Sequence, residues 1–163
     1  MLDLLPDLTD QYPDHLLIGD PIFQSFGKKT IFYGEVVTVK CFEDNSRVKE
    51  LVATDGKGKV MVVDGGGSKR VALLGDMLAE QAANNGWEGI VINGAVRDVA
   101  TQATIALGIK ALSATPLRST RKGMGDVGVN ITMAGLRVEN GDYLYSDLNG
   151  IALAKQPLAL DFL

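Results

Sequence analysis

The sequence predicts an α/β domain, with a parallel βαβ core in the first two thirds and antiparallel β-structure in the last third. Three observations carry this expectation. Residues 59–63 and 89–93 are short, almost continuous apolar runs, the character of strands covered on both faces in a parallel layer. Between them, residues 75–85 place Leu78 and Ala82 four apart beside Met77, the stripe of an amphipathic helix. From Val127 onward the pattern changes to alternation, and Asn140-Gly141 and Asn149-Gly150 are strong turn signals between short strands. A chain of 163 residues with 46% hydrophobic and 22% charged content suits one core, and no stretch reads as a linker, so residues 1–163 are expected to form a single domain.

Taken in order, Thr9 or Asp10 is the expected cap of a short first helix that Pro13 interrupts, and the stretch to Pro21 reads as irregular. Residues 30–42 are rich in β-branched and aromatic side chains. They predict a strand, bent at Gly34, with Val37, Val39 and Cys41 on one face and Val36, Thr38 and Lys40 on the other. Asp44 or Asn45 can accept the free amides of a helix whose inner face is Val48, Leu51 and Val52, ended by Asp55-Gly56. Gly86 suits the left-handed residue that closes helix 75–85, with Trp87 making the hydrophobic contact that follows it. A short helix is expected within residues 99–107, a strand over 109–115, and a polar, glycine-rich segment over 118–126.

Composition excludes several functions. The net charge of −4 is spread without a basic block, which argues against nucleic acid or an anionic membrane as main partner. Cys41 is the only cysteine and His15 the only histidine. A disulfide framework, a thiolate zinc site and a Ser-His-Asp triad are therefore not expected, and any metal would sit among oxygens. The acidic start lacks the basic flank of a signal peptide and no run approaches 18 apolar residues, so cytoplasmic residence is the expectation. Gly65-Gly66-Gly67 follows a strand, but Arg70 stands where a dinucleotide fingerprint needs its third glycine. Close passage of the backbone against packed chain or against a small ligand both account for the triplet. A nucleoside-dependent methyltransferase would need an acid at the end of the next strand, where Asn93 stands. Among lysines, Lys110 comes nearest to a Schiff-base nucleophile, yet an alternating strand lysine is expected to face solvent.

The strongest chemical signal is Asp76 followed, after twenty residues, by Arg97-Asp98. Helix 75–85 advances roughly 16 Å at 1.5 Å per residue, and strand 89–93 returns about as far, so the two ends meet at one edge. The helix start at Gly75, Asp76, Met77 and Leu78 presents free amides and the positive end of the dipole to an anion. Arg97 can grip a carboxylate bidentately, and Asp98 offers a hard oxygen ligand to Mg²⁺ or Mn²⁺. Each of these residues alone also has a plain reading, as a first-turn acid and a surface ion pair.

The segments Cys41-Phe-Glu-Asp-Asn45, Val63-Asp-Gly-Gly-Gly-Ser68, Ala72-Leu-Leu-Gly-Asp-Met-Leu-Ala79, Gly86-Trp-Glu-Gly89 and Gly94-Ala-Val-Arg-Asp98 resemble the regulator of ribonuclease activity A family, which is related to the 4-hydroxy-4-methyl-2-oxoglutarate aldolases. The resemblance extends through Asp142 to Gly150 and implies a layered fold similar to the swivelling β/β/α type. Asp76, twenty residues, Arg97 and Asp98 match the pattern of the aldolase branch. The resemblance implies that Gly75, Asp76, Met77 and Leu78 line the pyruvyl end of a 2-keto acid and that Arg97 binds it and steadies the enolate oxygen. It implies further that Asp98 holds a divalent metal and that Asp76 organises a water that moves protons. It implies cleavage of 4-hydroxy-4-methyl-2-oxoglutarate to two pyruvates, decarboxylation of oxaloacetate through the same enolate, and a ring-shaped homotrimer. The alternative it carries is a protein regulator that inhibits an endoribonuclease of the RNA degradosome. Larger aldolases add a C-terminal region with an acidic residue that crosses the subunit boundary, and this sequence runs to Leu163 without it, so the resemblance leaves substrate preference and rate open. Outside this pattern, Arg118, Arg121 and Lys122 are expected in a solvated loop, with closure over an anionic substrate as the lesser alternative, and Glu43 and Asp44 at a helix cap, with a site role left open by the resemblance.

Overall fold

The computed structural model describes residues Met1–Leu163. The elements in chain order are α1 (Leu5–Gln11), β1 (Leu17–Ile18), β2 (Gln24–Ser25), β3 (Phe32–Lys40), α2 (Ser46–Val52), β4 (Lys59–Asp64), β5 (Ala72–Leu74) and α3 (Asp76–Asn84). They continue with β6 (Gly89–Val96), α4 (Val99–Gln102), β7 (Gly108–Ala114), β8 (Asp126–Val127), β9 (Ile131–Met133), β10 (Leu136–Val138), β11 (Tyr143–Asp147) and β12 (Gly150–Ala154). One large mixed sheet runs in the order β1-β12-β11-β3-β4-β6-β7-β2, with β5 added to β6 and β8 to β3. Its centre, β3-β4-β6-β7, is parallel, and β11 and β12 join antiparallel. The α/β core and antiparallel last third are therefore as the sequence predicts.

The two faces of the sheet are apolar for different reasons. Met61, Val63, Ile90, Ile92, Ile109 and Ala111 pack against the inner sides of α2 and α3, where Val48, Val52, Leu78, Ala79 and Ala82 are buried. The alternate residues Val36, Val60, Val62 and Val91 face the β9-β10 hairpin together with Leu144, Ile151 and Leu153. Burial on both faces explains the continuous apolar runs of β4 and β6. The Phe32 ring lies across β6 and β7 where Gly89 and Gly108 have no side chain; a Cβ there would come within 2.2 and 2.1 Å of it.

Several boundaries differ from expectation. The first helix starts at Leu5, with Pro6 in its first turn and Thr9 and Asp10 inside it. Its leading amides, Leu4 and Leu5 N–H, are capped at 2.8 Å by the Asp147 carboxylate from the far end of the chain. The region to Pro21 contains β1, whose partner β12 is distant in sequence. β5 has no sequence signal of its own, since three residues are too few for a period, yet it is the strand that leads into α3. The alternation that begins at Val127 breaks into β8 and β9. Lys110 does not face solvent: it is 2% exposed, on the face opposite Ile109 and Ala111, beside Val91. Burial lowers its pKa, with Asp147 opposing that shift.

Candidate active site

β3, β4, β5, β6 and β7 are parallel where they pair, so their carboxyl ends open on one edge of the sheet, the usual place for a ligand crevice in such layers. A cleft of about 660 Å³ lies there, lined by Gly75, Asp76, Met77, Leu78, Arg97 and Asp98 and, opposite them, by Asn45 and residues 118–122. β5 pairs with β6 through Ala72 with Ala95 and Leu74 with Val96. The chain leaves β5 directly into α3 at Gly75 and leaves β6 directly at Arg97. Asp76 and Arg97-Asp98 thus meet because two parallel neighbours end side by side. The strand before Arg97 runs to Val96, three residues beyond the stretch read from sequence.

Contacts within the cleft are specific. Asp98 Oδ2 accepts the Asp76 N–H at 3.0 Å and stands 3.8 Å from Arg97 Nε. Asp98 adopts φ 60° and ψ 40°, the left-handed region that acids tolerate better than most residues but still occupy at a cost. Gly75 makes room for this arrangement, because a Cβ there would lie 2.9 Å from Asp98 Oδ2 and 3.4 Å from Arg97 Nε. The Met77 N–H donates to Asp76 Oδ1 at 2.9 Å, while the Leu78 N–H has no acceptor in the chain. Two amides of the helix start are already turned to carboxylates, and a third is open. Arg97 Nη1 reaches Pro116 O at 3.5 Å.

The opposite wall is not the loose loop expected from its composition. The Asp44 carboxylate, 3% exposed, accepts the Ser46 N–H at 2.9 Å and the Ser46 hydroxyl at 2.6 Å, capping α2 as expected. It also accepts the Lys122 N–H at 2.7 Å and the Met124 N–H at 3.3 Å, pinning the loop to the turn after β3. Burial pushes its pKa up, but those four hydrogen bonds outweigh burial and hold it down at about 2. Asn45 donates to Leu73 O and accepts Arg121 Nε–H at 3.1 Å each, while Ser119 Oγ accepts the Asn45 N–H. Sequence reasoning missed Asn45 and Ser119 as cleft residues, and it gave Arg121 a cleft role only as the lesser alternative to a solvated loop. The available signal was a basic cluster directly after a parallel strand, at the edge where the other strands end.

Other candidates lie elsewhere. Gly65-Gly66-Gly67 packs against its own chain: the Gly65 and Gly67 N–H groups donate to Asn93 O, Gly66 and Gly67 have positive φ, and Phe42 and Leu73 leave no room for a Cβ at Gly66 and Gly65. None of the three lines the cleft. Lys110 is absent from it too. Cys41 is buried with its thiol pushed up to about 12 by burial and by Asp44 and Asp64, so it is inert. His15 is exposed beside the Tyr12 ring. No group of three or more His, Cys, Asp or Glu side chains converges to hold a metal. For a hard divalent cation, Asp98 fits as a single carboxylate ligand: its Oδ1 has no hydrogen bond, and such ions bind through one or two carboxylates with water and substrate oxygens.

A family model described as RraA-like, Aldolase/RraA, matches residues 5–153. The chain belongs to this family. A Marinomonas sp. (strain MWYL1) relative named "Putative 4-hydroxy-4-methyl-2-oxoglutarate aldolase" is 64% identical over 160 residues, covering 98% of this chain and 99% of its own. A Pseudomonas putida (strain W619) relative of the same name is 54% identical over 155 residues, covering 95% of each chain. Among solved structures, the RNA-processing inhibitor RraA from Thermus thermophilis superposes with a TM-score of 0.93 at 40% identity, over 98% of this chain and 97% of that one. A Geobacillus kaustophilus structure described as an S-adenosylmethionine:2-dimethylmenaquinone methyltransferase gives 0.93 at 41% identity, over 96% and 97%. The family match runs from the first residue of α1 into β12. No helix is long and apolar enough to cross a membrane.

Proposed function

We propose that this RraA-like chain is a divalent-metal-dependent carbon–carbon lyase that cleaves 4-hydroxy-4-methyl-2-oxoglutarate to two pyruvates and decarboxylates oxaloacetate through the same enolate. The observation that carries the reading is the meeting of Asp76, Arg97 and Asp98 with an open helix-start amide at the carboxyl edge of parallel strands. The names of the 64% and 54% identical relatives support its aldolase part.

In this reading Asp98 would hold Mg²⁺ or Mn²⁺, and the bound ion would supply Lewis-acid polarisation of the 2-keto carbonyl. The Gly75–Leu78 turn receives the adjoining carboxylate, with the Leu78 N–H free to donate to it. The Arg97 guanidinium sits against the same carboxylate and the oxygen that becomes the enolate. Asp76 organises the water that takes the proton from the 4-hydroxyl. The C3–C4 bond then breaks, its electron pair forms the C2–C3 enolate, and C4 becomes the carbonyl of the first pyruvate. Protonation at C3 gives the methyl group of the second. With oxaloacetate the leaving fragment is CO₂.

Protein stripped with chelator is expected to release pyruvate from either substrate only after Mg²⁺ or Mn²⁺ is restored, and Asp98→Ala to lose the activity at least a hundredfold. Equal turnover in chelator, or a fully active Asp98→Ala, rejects the metal role. The likeness to the Thermus thermophilis inhibitor supports a second reading, a regulator that binds an endoribonuclease without using the cleft. Inactivity on both keto acids together with tight association with such an enzyme would favour it. The proposal includes a homotrimer, which light scattering would place at about three times 17.4 kDa.

A further inference from the structure

One residue outside the cleft lining grips both sides of the contact between Asp76 and Asp98. Gln102, in α4, is fully buried. Its side-chain Nε2 donates to Leu74 O at 3.1 Å, and its main-chain N–H donates to Asp98 O at 2.8 Å. Leu74 is the last residue of β5, immediately before Gly75 and Asp76, and its carbonyl also accepts the Arg97 N–H at 3.0 Å. The end of β5, the end of β6 and the first turn of α4 are therefore tied at one oxygen. On the cleft side the same segments are joined by the Asp76 N–H donating to Asp98 Oδ2. Gln102 closes that junction on the core side.

Packing alone does not account for an amide at this position. Gln102 Oε1 is the one buried side-chain nitrogen or oxygen in the chain without a hydrogen-bond partner. An orphaned acceptor costs stability, and a methionine of similar length would fill the space without one. Turning the amide over would set Oε1 against the Leu74 carbonyl, acceptor to acceptor. Leu74 O does not depend on the amide either, because it keeps the Arg97 N–H. What the side chain adds is a fixed separation between the strand end that leads into Gly75 and the turn that carries Asp98. That turn holds φ 60° and ψ 40°, a conformation that persists only where its surroundings impose it.

We infer that Gln102 is a positioning residue that keeps the Asp98 turn in register with the start of α3, a role that rests on the metal-dependent lyase reading. It touches neither substrate nor metal. Its side chain acts through Leu74 O on Gly75, and its main chain acts on Asp98.

The test uses Gln102→Met with Mn²⁺ as the probe. The main-chain bond to Asp98 O survives this substitution, and the side-chain bond to Leu74 O does not. Metal-free Gln102→Met is expected to melt as the wild type does, because removal of the orphaned acceptor offsets the lost bond. Its Mn²⁺ affinity by titration calorimetry is expected to fall roughly three- to tenfold, at or below the lower end of what direct partners of metal ligands cost, with kcat/KM for pyruvate release falling in parallel. Gly75 follows Leu74, so Gln102→Met and Gly75→Ala disturb one junction, and the double variant should lose less Mn²⁺ affinity than the two single losses multiplied. Ile105→Val, a change in the buried core just beyond α4, should melt lower yet keep wild-type Mn²⁺ affinity. If Gln102→Met does not fold, Gln102→Leu carries the same expectations. Wild-type affinity in the apolar variant, or losses that multiply in the double variant, overturns the positioning role while leaving the lyase reading intact. Failure of both apolar variants to fold overturns it too, since the amide would then be structural. Wild-type protein that binds no Mn²⁺ rejects the metal reading itself, and the role of Gln102 with it.

Discussion

Replacing Gly75 by alanine adds one methyl group at the point where the two halves of the cleft touch. The new Cβ would lie 2.9 Å from Asp98 Oδ2, whereas ordinary contact begins near 3.4 Å, so the carboxylate must retreat by about 0.5 Å. That retreat stretches the 3.0 Å bond from the Asp76 N–H to roughly 3.5 Å, beyond useful hydrogen-bonding range. The first amide of α3 then loses its charged acceptor, a cost of about 1 kcal/mol, comparable to losing a helix cap. Arg97 Nε, at 3.4 Å from the same Cβ, blocks retreat in its own direction. Global stability should therefore fall only modestly, while displacing Asp98, the carboxylate proposed to hold the metal, should cost about 10- to 100-fold in Mn²⁺ affinity and in kcat/KM. Thermal melts paired with Mn²⁺ titration calorimetry and a coupled pyruvate assay separate the two effects. A Gly75→Ala protein with wild-type Mn²⁺ affinity and turnover would refute the claim that the missing side chain at Gly75 positions Asp98.

Asp44 stabilises the fold as a carboxylate. Because its folded pKa lies at about 2, below the unfolded value, that contribution is complete above about pH 4 and lost as pH falls toward 2. Asp44→Asn should lower stability at neutral pH by about 2 kcal/mol, since an amide meets the Lys122 and Met124 N–H groups with its own donors, and should flatten this acid dependence in urea melts taken from pH 5 to 2. Lys110→Met should be neutral or stabilising by on the order of 1 kcal/mol, because a buried ammonium without a hydrogen-bonded partner is replaced by an apolar chain of similar length. The wild-type penalty shrinks as pH rises through the lowered folded pKa of Lys110, so the advantage of Lys110→Met should narrow at high pH; a marked destabilisation at pH 7 would mean that attraction to Asp147 outweighs the cost of burying the ammonium.

Much of the fold is legible along the chain because the signals are local. The double-sided burial of β4 and β6 leaves unbroken apolar runs, and the inner stripe of α3 has its own period. Gly86, at φ 86°, lies just beyond α3 as its closing residue. β5 was invisible because three residues carry no period, and the cap of α1 was misplaced because its acceptor, Asp147, lies more than 140 residues away. Lys110 misled because strand alternation says which side a residue faces, not whether another layer covers that side.

The sequence by itself determined the α/β class, the family pattern, and the pairing of Asp76 with Arg97-Asp98 across one helix and one strand. Those features are written in spacing, and spacing survives without coordinates. Only the tertiary structure decided that β5 and β6 end as parallel neighbours, that Gly75 is the gap into which Asp98 fits, and that Asp44 and Asn45 fasten a basic segment as the facing wall of the cleft. The physical reason is that these arrangements depend on contacts between segments tens of residues apart, where hydrogen bonding and close packing, and no local periodicity, fix which side chains meet.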